Sequence, residues 1–163
     1  MKLRIANIHP QGTVALSLLR AAAEEVRPLY PRAAAEDASA PANSPLGPRD
    51  VYVAAMLNDT AVACGSIREL DGNSGEVRRL YVHRDHRRRY VGRAVLLHLV
   101  SEARRLGYQR LCLETGNKQA AAIALYEGFG FKRIEAFGEY ATDPTSVCFE
   151  LWLDENAEMD PMA

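Results

Sequence analysis

Between Gly75 and Ala94 the chain reads GEVRRLYVHRDHRRRYVGRA, and no other stretch limits its fold as sharply. Glu76 to Val82 is rich in β-formers and reads as a strand. An arginine-dense turn follows and closes on Val91-Gly92-Arg93-Ala94. Apolar residues at Val91, Val95, Leu96, Leu99, Val100, Ala103 and Leu106 then set a helical period. A strand feeding a basic turn that opens a helix makes an anion site. The first-turn amides lack intrahelical partners, and the macrodipole makes that end positive. Val91, Gly92, Arg93 and Ala94 are expected to supply those amides, and Gly92, lacking a Cβ, to let a phosphate approach the backbone. The guanidinium groups of Arg87, Arg88, Arg89 and Arg93 are placed to clamp phosphate oxygens. A phosphorylated cofactor is expected at this junction.

The flanking segments complete one domain over residues 1–153. Residues 2–8 alternate as a strand, and Thr13 to Leu29 has helical spacing until Pro28 and Pro31 break it. From 31 to 50 the composition shifts to Ala, Pro, Ser and acidic residues, which reads as a mobile loop with a short helical turn near 33–38. Val51–Leu57 and Ala61–Leu70 form a hairpin across Asn58-Asp59, and Asp71-Gly72-Asn73 turns into the strand at 75–83. Because the helix at 91–106 separates that strand from Gln109–Thr115, the two should pair in parallel. A helix over Gln119–Phe129 and strands over Phe131–Glu135 and Ser146–Leu153 follow, and the acidic stretch 154–163 is expected to be disordered. The fold class is α/β (α+β): a mixed, mainly antiparallel sheet with helices on its faces.

Twenty basic side chains against twenty-one acidic ones argue against a dedicated nucleic-acid partner. No apolar run reaches the length of a membrane span, and Met1-Lys2-Leu3-Arg4 lacks a signal-peptide core, so a cytoplasmic location is expected. Cys64, Cys112 and Cys148 are widely separated in apolar runs and read as buried, reduced thiols, with no metal-ligand spacing.

The segments Glu76–Val82 and Arg87–Ala94 resemble the acetyl-CoA-binding core of the GCN5-related N-acetyltransferases (GNAT), whose turn reads Gln/Arg-x-x-Gly-x-Gly/Ala. Arg87 matches the first position and Gly92 the last, with Tyr90 where the middle glycine is usual. Tyr90 is expected to keep a negative φ, its ring outward and its amide still serving. Ala122 to Phe131 is similar to the family's helix ending in Leu-Tyr-x-x-x-Gly-Phe, and the resemblance covers about residues 50 to 153. It implies that the amides of Arg88, Arg89, Tyr90, Val91, Gly92, Arg93 and Ala94 hold the pyrophosphate of CoA. The pantetheine arm would pair with Leu80, Tyr81 and Val82 where the parallel strands splay apart, an amide there also serving the oxyanion. Gln119 stands at the family's usual asparagine and still donates a hydrogen bond.

Acetylating an amine requires deprotonating an ammonium of pKa near 10.4 and protonating a departing thiolate. Glu76 is the candidate base, its alternation placing it on one face with Arg78 and Leu80, and a salt bridge to an arginine is its alternative role. Tyr126, at the position of the family's tyrosine, is the matching acid. Tyr30 and Tyr140 are expected to line the acceptor site. The reading is direct acetyl transfer from acetyl-CoA to a primary amine of a small molecule or amino acid. A protein N-terminal or lysine acetyltransferase, or a non-catalytic acyl-CoA- or RNA-binding module, are the alternatives. Oligomeric state is left open, a homodimer included.

Overall fold

A computed structural model of the chain describes residues 2–31 and 42–153. The described strands are β1 (Leu3–Asn7), β2 (Val51–Leu57), β3 (Thr60–Glu69), β4 (Ser74–Val82), β5 (Arg110–Gly116), β6 (Lys132–Ile134) and β7 (Ser146–Trp152). The described helices are α1 (Thr13–Val26), α2 (Val91–Arg105) and α3 (Ala120–Phe129). The strands form one sheet in the order β1-β2-β3-β4-β5-β7-β6. Every neighbouring pair is antiparallel except β4 and β5, which run parallel. A parallel pair needs a long crossover, and α2 supplies it. The helical turn expected near 33–38 and the tail 154–163 lie outside the described residues.

β2 reads VYVAA without alternation because both of its faces are covered. Val51, Val53 and Ala55 join Val95, Leu96 and Leu99 of α2 in the larger core. Tyr52 faces the other way, with Ala15 and Leu18 of α1 and Cys64 of β3. α1 ends at Val26, three residues short of the expected boundary, and Arg27–Leu29 forms a separate 3-10 turn with Pro28 in its first positions. Proline has no N–H and its ring collides with the carbonyl four residues back, so it is tolerated only where a new turn begins.

The segment from 42 to 50 is tied down by partners far away in sequence. Arg68 donates to the carbonyls of Ser44 and Pro45 at 2.6 Å each and to Asp50 Oδ2 at 3.1 Å. Asp50 also accepts from the amides of Gly47 at 2.7 Å and Glu69 at 2.9 Å. Burial alone would raise the Asp50 carboxyl, but these amides and Arg68 outweigh it and hold it below its ordinary 3.8. A carboxyl lowered on folding contributes stability above its unfolded value, and that contribution disappears as pH falls through the lower folded value. Asp50→Ala should therefore cost about 2–3 kcal/mol by urea unfolding at pH 7. The deficit should shrink as the medium is acidified below pH 4.

β4 carries an extra residue against β3: Cys64 pairs with Tyr81 but Ser66 pairs with Arg78, so Arg79 and Leu80 both stand opposite Gly65. Arg79 takes φ 58°, the left-handed conformation of a bulge residue. Its side chain is fixed by Nε to Asn43 Oδ1 and Nη2 to the Ala42 carbonyl, at 3.0 Å each, which offsets the backbone cost. The bulge reverses the alternation. Val77, Leu80 and Val82 all pack into the core under α2, whereas Tyr81 packs with the α1-side cluster. Leu80 is thus on the opposite face from Glu76, contrary to the simple two-residue period, which holds only while the ladder is regular.

Candidate active site

β4 and β5 pair only from Ser74–Arg110 to Val77–Leu113. Beyond Val77, residues 78–82 keep β3 on one side, and beyond Leu113, residues 114–116 keep β7 on one side. Between them two strand edges part, leaving backbone groups with no strand to bond. The gap opens on a cavity of about 770 Å³ walled by α1, by β4 from Val77 to Tyr81, by β5 from Glu114 to Gly116, and by Gln119, the N-cap of α3, with Ala122 and Tyr126 of that helix. Leu80 and Tyr81, two of the residues expected along the pantetheine, are on this wall.

Tyr126 reaches the cavity from α3 while its ring is fixed against Phe131 and Phe149, with centroids 5.9 and 6.0 Å away. Burial, reinforced by the Glu114 charge, pushes its phenol well above the ordinary 10. Tyr30 also lines the cavity. Its hydroxyl accepts from the Lys118 amide at 2.9 Å and lies against Gly116, where an added Cβ would fall 2.0 Å from it. Tyr140 is placed differently: its hydroxyl donates to Glu76 Oε2 at 2.7 Å. Glu76, only 9 % exposed, therefore has a phenol partner, and among the described residues it forms no salt bridge to an arginine, the alternative role named for it.

Sequence reasoning missed Glu114. It lies on the cavity wall at the end of β5, and Ser146 Oγ donates to its Oε2 at 2.7 Å. Burial raises its carboxyl above the ordinary 4.5, only partly opposed by that hydrogen bond, with the Asp143 and Glu76 charges adding to the rise. The available signal was an acidic residue closing an otherwise apolar strand, LCLET, beside the parting of the parallel pair. Cys64 also borders the cavity, but burial pushes its thiol up to about 12, so it carries no thiolate at neutral pH. All three cysteines are free and buried. Among the described residues no cluster of His, Cys, Asp and Glu is grouped to hold a metal ion. No described helix is long and apolar enough to cross a membrane.

The arginine turn lies at the far end of β4. Tyr90 is the N-cap of α2 with φ 62° and ψ 14°, not the negative φ expected of it. Its ring does point outward, 83 % exposed. Arg88 also has a positive φ, 61°. Positive φ at 88 and 90, alternating with their neighbours, is the kind of backbone pattern that can aim successive N–H groups into one concavity. Holding a bulky residue there costs on the order of 1 kcal/mol. Tyr90→Gly should accordingly raise Tm by about 2–4 °C in differential scanning calorimetry.

Other turn residues depart from expectation in informative ways. The Ala94 amide, expected to face an anion, is taken: it donates to the Tyr90 carbonyl at 3.0 Å as the first bond of α2. A Cβ on Gly92 would come within 2.9 Å of Leu125 Cδ2 and 3.5 Å of Val82 Cγ2. Its missing side chain therefore admits α3 as the neighbour of α2. Arg87 is engaged by the protein: Nε donates to the Val82 carbonyl at 3.0 Å and Nη2 meets Glu25 Oε1 of α1 at 2.5 Å. Arg93 lies over the Phe129 ring at 5.4 Å. Arg88 and Arg89 are exposed beside the turn.

Residues 16–131 match the sequence profile of the Acetyltransferase (GNAT) family. The chain is 40 % identical over 103 residues to the uncharacterized N-acetyltransferase YsnE of Bacillus subtilis, covering 62 % of this chain and 68 % of that protein. It is 40 % identical over 100 residues to the IAA acetyltransferase of Azospirillum brasilense, covering 61 % and 65 %. The matches thus span about two thirds of each relative. Among solved structures, a Klebsiella pneumoniae protein assigned as an acyl-CoA N-acyltransferase superposes with a TM-score of 0.78 at 31 % identity, over 93 % of this chain and 98 % of that one.

Proposed function

The chain belongs to the Acetyltransferase (GNAT) family, and from that premise we propose that it transfers the acetyl group of acetyl-CoA directly to a primary amine of a small molecule or amino acid. The parting of β4 from β5 carries this reading. It leaves a strand edge free along residues 78–82, opens it on a cavity bearing Glu114 and Tyr126, and leads β4 toward the N-terminus of α2.

These residues fit acetyl-CoA. The backbone edge at Leu80, Tyr81 and Val82 suits the amide-bearing pantetheine arm, as an added strand suits any open sheet edge. The N–H groups from Arg88 to Arg93, with the exposed Arg88 and Arg89 side chains, suit a pyrophosphate. Gln119, on the cavity wall, offers a further amide donor. Arg87 acts through position: by joining Val82 to Glu25 it fixes the turn against α1.

When bound, acetyl-CoA supplies the acetyl group and a thiolate leaving group. Glu114 takes the proton of the incoming ammonium, its raised carboxyl being a better match to that task than an ordinary glutamate. Glu76 lies on the neighbouring strand, held by Tyr140, and its charge acts on Glu114. It is the second carboxylate of the site, and substitution decides between the two. Tyr126 keeps its proton across the working pH range, because burial raises it, and so holds one for a departing thiolate.

The direct test combines thermal shift with a thiol-release assay. Acetyl-CoA should raise Tm whereas RNA should not, since only a ligand of the native state stabilises it. Thiol should appear when amines are supplied. A Tm rise with no release from any amine would replace the enzyme by an acyl-CoA-binding module.

A further inference from the structure

We propose that the accepted amine also carries a carboxylate, read by Arg78, and that the acceptor is an amino acid with an apolar side chain. This rests on the acetyltransferase reading above and specifies its substrate class.

Arg78 is the first β4 residue beyond the last β4–β5 pair, so it stands where the two strands part, on the cavity wall with Glu114. Of the other charges lining the cavity, Arg27 stands in the turn after α1, away from the parted strands, and Arg79 and Asp143 are committed. Arg79 is bonded to Asn43 and Ala42, and Asp143 accepts from the Thr145 amide at 2.9 Å and its hydroxyl at 2.7 Å. Arg49, Arg68, Arg87, Arg105, Arg110 and Arg133 all form ion pairs. Among the described residues the Arg78 guanidinium has neither an ion pair nor a hydrogen bond of its own. It faces the gap as a planar donor, and its charge partly opposes the rise that burial imposes on the carboxyl of Glu114 and the phenol of Tyr140.

A cation and a carboxylate side by side are complementary to a molecule bearing both opposite charges at short separation. An α-amino acid is such a molecule: its ammonium goes to Glu114 and its carboxylate to Arg78, where a guanidinium can bind it bidentately. The facing wall, from α1, presents Leu18, Leu19, Ala22, Ala23 and Val26, which suit an apolar side chain. A peptide N-terminus offers the ammonium but has an amide in place of the carboxylate, and so leaves Arg78 without its partner.

The experiment compares thiol release from leucine and phenylalanine with release from their amides and from a leucyl peptide. Comparison is made at equal total amine and at a pH where all three acceptors are ammonium ions, the form that Glu114 receives, so that any difference in basicity favours the amides and peptide and not the acids. Free acids should exceed amides and peptide in kcat/KM by at least about tenfold, one good charge-assisted contact. Arg78→Ala should bring that ratio close to one, mainly through KM for the acids, and Arg78→Lys should restore part of it. Amides or peptide turned over as well as the acids, or a ratio untouched by Arg78→Ala, overturns the carboxylate proposal and leaves the acetyltransferase reading standing. If no amine is turned over, that reading falls, and titration calorimetry of leucine into the CoA-loaded protein decides the subsite. Binding lost in Arg78→Ala supports it, and equal or absent binding overturns it.

Discussion

Glu114→Gln is expected to lower kcat about 10²–10³-fold near neutral pH, the range of a lost general base, with little change in KM for acetyl-CoA. The effect is large because Glu114 borders the cavity where the strands part, the other lining carboxylate, Asp143, is bonded to Thr145, and the amide cannot accept the ammonium proton. The pH profile carries the same information. Burial raises the Glu114 carboxyl above 4.5, so wild-type kcat/KM should fall as pH drops through that raised value, and the variant should lose this acidic limb. Stability moves the other way. A carboxyl raised on folding stabilises least once ionised: its contribution is full below the unfolded value and lost as pH rises through the folded one. The neutral glutamine should therefore melt no lower than wild type at pH 7. A larger kcat loss in Glu76→Gln than in Glu114→Gln would transfer the base role to Glu76 and leave Glu114 a neighbour.

Tyr126→Phe should cut kcat by about 10–10²-fold while leaving the melting temperature nearly unchanged. The ring is held by Phe131 and Phe149, and phenylalanine keeps those contacts, so the substitution removes only the hydroxyl. The measurement is steady-state thiol release against leaving groups of different basicity. Losing a proton donor should hurt poor leaving groups more than good ones. An equal loss across the series would assign the hydroxyl to positioning. Because general acid assistance is a modest part of the acceleration when reactants are held together, some turnover should survive.

Local chemistry was enough to locate most elements, because each signal acts within a few residues. The β-rich GEVRRLYV, the helical period from Val91 to Leu106, the Asn58-Asp59 turn and the LYEGFGF block each fix short-range structure. The helix between β4 and β5 supplies the long crossover that a parallel pair needs, and the two do pair in parallel. The same locality explains the misses. The two-residue period was right for Glu76 and Arg78 and wrong for Leu80, since the bulge at Arg79 depends on Gly65 opposite and on Asn43, thirty-six positions away in sequence. Tyr90 was expected at negative φ because side-chain sterics favour it, but as the N-cap where the turn enters α2 it takes the left-handed conformation, which is set by the whole turn and not by the residue's own preference.

The sequence alone determined which segments are strands, which open helices, and that a basic turn joins β4 to the N-terminus of α2, because periodicity and orphan amides are properties of adjacent residues. Only the tertiary structure decided which charges share a cavity. Glu114 beside Arg78, Tyr140 on Glu76 across sixty-four positions and Glu25 on Arg87 are meetings between distant elements. They are set by where β4 and β5 stop pairing, and no local pattern records where two strands part.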